Sequence, residues 1–140
     1  MPGTLEKTIS RFATADRQTR LDLLLDYARK LPPLPERFRE ARDLGLNRVP
    51  ECQSPVFLFL ESEGGTVKLH ADAPVEAPTV RGFVSLLSKE VSGSTPAAVA
   101  SIPGDLLDRL QLSEVLGMTR MQGLTAIVAR IKRMAAGISD

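Results

Sequence analysis

Val56-Phe57-Leu58-Phe59-Leu60-Glu61-Ser62-Glu63-Gly64-Gly65-Thr66-Val67-Lys68-Leu69-His70-Ala71 is the stretch on which the fold class turns. Residues 56–60 are apolar, rich in aromatic and β-branched side chains, and continuous rather than alternating, the pattern of a strand covered on both faces. Glu61 to Gly65 reads as a hairpin turn, because paired glycines take positive φ without steric cost. The return strand alternates, with Val67 and Leu69 on one face and Lys68 and His70 on the other. That alternation predicts a solvated, outward His70. Arg48–Glu51 is expected to add a short third strand at the edge.

Outward from the hairpin the chain is helical. Leu5, Ile9 and Phe12 share a face of a first helix, and Asp16 is a candidate N-cap for a second. The second carries Leu21, Leu24, Leu25, Ala28 and Leu31 at helical spacing and ends before Pro32-Pro33. Residues 32–50 read as a loop with a fragment of helix over Glu36–Asp43, held by Phe38 and Leu44. Pro78 suits the first turn of a helix with Val80, Phe83, Val84, Leu87 and Val91 inside, stopping near Gly93. Gly82 in that helix marks a close backbone approach. Short helices follow from Thr95-Pro96 and Asp105. Thr119 with Gln122 forms a capping-box pattern for a last helix whose inner stripe is Leu124, Ile127, Val128 and Ile131. The expected architecture is α+β, a small antiparallel three-stranded sheet packed by N-terminal and C-terminal helices, with residues 1–140 as one domain.

Composition narrows the function. Eighteen Lys and Arg against seventeen Asp and Glu leave a formal charge of +1, which offers no electrostatic reason for nucleic acid or an anionic membrane. The longest apolar run, Val56–Leu60, is too short to span a bilayer, and the N-terminus lacks the apolar core of a secretory signal. A cytoplasmic protein is expected, and without heptads a monomer is the default. One Cys and one His cannot enclose a structural zinc.

Chemistry therefore centres on Cys52, in Arg48-Val49-Pro50-Glu51-Cys52-Gln53-Ser54-Pro55. Prolines bracket it and its neighbours are polar, so it belongs on the loop leading into the sheet. A thiol acts as its thiolate; Glu51 opposes that form and Arg48 favours it. A Cys52–His70 hydrolase dyad lacks a group to orient the ring. Arg120 opposes the dipole at the first turn of the last helix, and the functional reading of that is a side chain aimed at a site, pairing a carboxylate or an anionic sulfur.

Four blocks in order, Leu31-Pro32-Pro33-Leu34-Pro35, Asn47–Ser54, Ala77-Pro78-Thr79-Val80-Arg81-Gly82 and Thr119-Arg120-Met121-Gln122-Gly123-Leu124, resemble those of the SufE/CsdE family of sulfur acceptors in iron–sulfur cluster assembly. Cys52-Gln53-Ser54 before an apolar strand is the most specific of them. The resemblance implies that Cys52 takes a persulfide sulfur from a cysteine desulfurase, raises its turnover, and delivers the sulfur to an iron–sulfur scaffold. It implies no cofactor here, since pyridoxal phosphate belongs to the desulfurase. It implies support from Arg120 and from Glu76, which stands where the family has Asp, and contacts with the partner through Glu51, Gln53 and Ser54. The loop is expected to tuck its cysteine inward and swing out on docking. Glu51 replaces a family Gly, Pro55 a Gln and Phe57 a Trp, making a stiffer, more charged loop. A module that docks and modulates a desulfurase without carrying sulfur is the alternative.

Overall fold

The computed structural model describes residues 1–138. In chain order the elements are α1 (Leu5–Thr14), α2 (Arg17–Arg29), α3 (Glu36–Asp43), β1 (Phe57–Glu63), β2 (Thr66–Asp72), α4 (Pro78–Val91), α5 (Pro96–Ala100), α6 (Leu106–Arg109), a 3-10 turn (Leu112–Glu114) and α7 (Met118–Ala136). The fold is α+β, with a two-stranded antiparallel sheet.

The hairpin forms, but its turn is Gly64-Gly65 alone, because Glu61, Ser62 and Glu63 continue the first strand and pair with Lys68, Val67 and Thr66. Gly64 and Gly65 both have positive φ, 59° and 84°, and the register runs from Phe57↔Asp72 to Glu63↔Thr66. The third strand does not form. Its place is taken by a single bridge, Arg48↔Phe57. Pro50 has no N–H to continue the ladder, and the chain turns away through residues 50–54.

α4 is the centre of the molecule, packed between α2 on one side and β2 on the other. It is therefore buried almost all round, including Ser85, Ser88 and Glu90. Gly82 allows the α2 contact: a Cβ there would stand 2.2 Å from the Leu24 carbonyl oxygen. Asp16 caps α2 as expected, its carboxylate accepting from the Thr19 N–H at 2.7 Å. α7 packs on α5 and α6 and reaches β1. The inner stripe of α7, Leu124, Ile127, Val128 and Ile131, is buried.

Other local expectations change. Residues 36–43 form a complete helix; Phe38 anchors it, whereas Leu44 is 70% exposed. The Phe38 ring lies 4.7 Å from Phe59 and 5.1 Å from His70, centroid to centroid. That contact overturns the solvated His70. The alternation assigns its face correctly, but α3 covers that face and leaves His70 9% exposed. α7 begins one residue before Thr119, with extended Gly117 as its N-cap, so the Thr119–Gln122 capping box is not made. Asp105 precedes α6, but its carboxylate accepts from Arg109 Nε at 2.9 Å rather than from a backbone N–H.

Candidate functional site

Cys52 lies on a loop closed at its neck and free at its tip. The Val49 N–H donates to the Val56 carbonyl at 2.9 Å, and the Leu58 N–H to the Asn47 carbonyl at 3.1 Å. The Asn47 side-chain amide returns a bond to the Leu58 carbonyl at 2.8 Å. Val49 and Val56 are fully buried and pin the neck. Between them, among the described residues, one backbone–backbone hydrogen bond holds residues 50–55, from the Cys52 N–H to the Val49 carbonyl at 3.2 Å. Pro50, Glu51, Gln53 and Pro55 are exposed, whereas Cys52 points inward and is 5% exposed.

What receives the thiol is the second turn of α7, at Gly123. A Cβ on Gly123 would come 3.3 Å from Cys52 Sγ, tight enough that the sulfur would have to give by a few tenths of an ångström, so glycine leaves it an undisturbed seat. Cys52, Gln53 and Ser54 share a cavity of about 420 Å³ with Val80, Arg120 and Gly123. Sequence reasoning passed over Gly123 and Val80 as site residues. A glycine one turn inside an apolar-striped helix was the available signal for the first; Val80 carried none, since it is also core.

Burial pushes the Cys52 thiol up from its ordinary range, because desolvation disfavours the thiolate. A hydrogen bond from the Ser54 backbone and the cations Arg120 and Arg48 act in the opposite direction without overcoming it. Arg120 is exposed and lines the cavity. Glu76 is exposed and, among the described residues, makes no ion pair with Arg120 and does not line this cavity. Glu51 is exposed at the tip, outside the cavity.

His70 serves a different neighbourhood. Its Nε2 lies 2.6 Å from Glu61 Oε1. The Glu61 carboxyl is held below its usual range, first by the Arg37 hydrogen bond and also by His70. His70 is not among the residues around Cys52, which removes the geometric basis for a dyad. Among the described residues no three His, Cys, Asp or Glu side chains cluster as metal ligands, and no helix is long and apolar enough to cross a membrane.

A lone buried thiol on a loop, sharing a cavity with a guanidinium, defines a thiol-bearing α+β domain. Residues 6–135 match the family model "SufE: Fe-S metabolism associated domain", and the chain belongs to the SufE family. It is 40% identical over 134 residues to an "Uncharacterized SufE-like protein" of Mycobacterium tuberculosis, covering 95% of this chain and 92% of that one. A SufE-like protein of Synechocystis is 29% identical over 136 residues, 96% of this chain and 82% of the relative. The solution structure of a hypothetical protein from Thermus thermophilus superposes with a TM-score of 0.82 at 34% identity, covering 97% and 96% of the two chains.

Proposed function

We propose that the protein is a sulfur acceptor for a cysteine desulfurase, carrying the sulfur on Cys52 to an iron–sulfur scaffold. The observation that carries this reading is a single thiol, tucked inward, on a loop whose tip is tied by little more than one backbone hydrogen bond.

The energetics favour release on docking. Withdrawing one small side chain from its seat forfeits about 1–2 kcal/mol of burial. The outward conformer is then disfavoured by a factor of about 5–30, which contacts with a partner readily offset. Once outside, the thiol loses the desolvation that suppresses its thiolate and keeps the positive field of Arg48 and Arg120. The thiolate attacks the terminal sulfur of the desulfurase persulfide. A new S–S bond forms on Cys52, the old one breaks, and the partner cysteine leaves as thiolate, so no outside oxidant is needed. Gln53 and Ser54 contact the partner first, with Glu51 at the tip. Support from Glu76 requires that it approach the cleft in the complex.

The depth of Cys52 favours one other reading, a module that docks on a desulfurase and changes its rate without taking sulfur. One experiment separates them. The protein is incubated with a cysteine desulfurase and cysteine and weighed under non-reducing conditions. The acceptor reading expects a gain of one sulfur atom on the wild type and none on Cys52→Ser. An unmodified wild type, with Cys52→Ala stimulating turnover equally, establishes the non-carrying module instead.

A further inference from the structure

A second, larger cavity of about 610 Å³ opens away from Cys52, between α2, the Leu31–Pro35 turn, β2 and α4. Three observations assign it a ligand class.

The first is an unfinished row of hydrogen bonds. β2 is an edge strand, and its outward groups are met one after another by α4 and the segment after it. The Val67 N–H and carbonyl bond the backbones of Ser94 and Gly93, both at 2.8 Å. The Leu69 N–H donates to Ser92 Oγ at 3.1 Å, and its carbonyl accepts from Ser88 Oγ at 2.9 Å. Ala71 is the next outward residue by the period of two, and Ser85 is the next serine up the same face of α4. That pair does not meet. Among the described residues no hydrogen bond is made by Ser85 Oγ or to the outward groups of Ala71, although Ser85 and Ala71 are each only 4% exposed and both line the cavity. Polar groups in residues this buried are ordinarily paired. Among the described residues every side-chain polar atom sealed from solvent does have a partner, so the free Ser85 Oγ opens into the cavity.

The second is charge. Lys68 and Lys89 line the cavity, are exposed, and form no ion pair among the described residues. The acidic group on its lining, Asp26, is already paired with Lys30 at 2.7 Å and Arg29 at 3.4 Å. Arg11 adds a further cation while donating to the Tyr27 hydroxyl at 2.8 Å. The third is an apolar floor of Leu23, Leu31, Pro33 and Leu69 beside the Tyr27 ring.

We infer that this cavity binds a small organic carboxylate with an apolar body. The body lies on the leucine and proline floor, and the carboxylate takes the donors left over: the Ala71 N–H, the Ser85 hydroxyl and the ammonium groups of Lys68 and Lys89. A pocket combining an apolar lining with a few convergent polar groups is the usual form of a small-molecule site. The site shares no residue with the Cys52 cavity, so it stands independently of the sulfur-acceptor reading.

The test is amide chemical-shift mapping on isotope-labelled protein titrated with naphthoate, the neutral naphthalenemethanol and naphthyl phosphate. Naphthoate is expected to saturate with Kd about 1 mM or tighter, shifting Ala71 and Ser85 and sparing Cys52 and Gly123. The alcohol binds about tenfold more weakly. Lys68→Gln with Lys89→Gln weakens naphthoate about tenfold at unchanged Tm, and Cys52→Ser leaves it unchanged. Absence of saturation, equal binding of the alcohol, or shifts centred on Cys52 overturns the inference. Tighter binding of naphthyl phosphate than of naphthoate overturns the carboxylate assignment.

Discussion

At Cys52 two opposed effects meet in one side chain. The seat on Gly123 dries the thiol and keeps it protonated, whereas Arg120 and Arg48 pull toward the thiolate; desolvation is the larger. A group whose pKa is raised by its folded setting favours that setting while protonated. The tucked conformation is therefore fully favoured below the ordinary thiol range and loses that advantage as pH rises through the raised value. Alkylation of Cys52 is expected to follow a pH profile with its midpoint above that of an ordinary cysteine. In Arg120→Gln the midpoint moves higher still, because a cation that stabilises the thiolate is gone, and alkylation at neutral pH slows. A midpoint unmoved by Arg120→Gln would show that this guanidinium is too well solvated to act on the sulfur. The residue type and its loop were readable from Pro50, Pro55 and the polar neighbours. The burial was not, because it depends on a glycine some seventy positions later in the chain.

Single helices and strands show the same division. Gly82 was legible as a close-approach glycine, and the structure supplies the partner, the Leu24 carbonyl. Gly82→Ala cannot be absorbed by a rotamer change, since the obstacle is backbone. The expected cost is about 2–3 kcal/mol, read as a lower urea midpoint at unchanged m-value; an unaltered midpoint would mean that α2 and α4 slide apart freely. Helix periods, the Asp16 cap and the glycine turn were set by local rules. The third strand and the Thr119–Gln122 box failed for local backbone reasons, and the solvated His70 for a tertiary one. A proline-led turn removed the strand, an extended Gly117 took the cap two positions early, and α3 folded its Phe38 over the outer sheet face.

Across the whole molecule, distant segments are tied by buried polar side chains that carry no periodic signal. Arg20 is 3% exposed, within α2. It donates to the Phe12 carbonyl at 3.0 Å, to the Ala15 carbonyl at 2.6 Å and to Glu114 at 2.7 Å, joining the α1–α2 corner to the turn before α7. Arg20→Ala strips the Ala15 carbonyl of its donor, leaves the Phe12 carbonyl with the Ala15 N–H alone, and breaks the ion pair. The expected loss is about 2–4 kcal/mol, or a Tm lower by roughly 7–14 °C. A calorimetric Tm within a degree of wild type would show that water replaces the guanidinium at no cost.

The α+β class, the glycine hairpin, the helical stripes, the lone thiol on a loop and the family blocks are written in the residue order alone. Each of these rests on neighbours a few residues apart, where helix and strand periods and proline or glycine stereochemistry act. Packing of distant segments sets the rest: Cys52 tucks against Gly123 beside Arg120, Glu76 stands apart from Arg120, His70 is covered, and Ser85 and Ala71 open unpaired into a cationic cleft. Those outcomes depend on which surfaces meet across long loops. Burial, desolvation and unmet hydrogen bonds exist only once they have met.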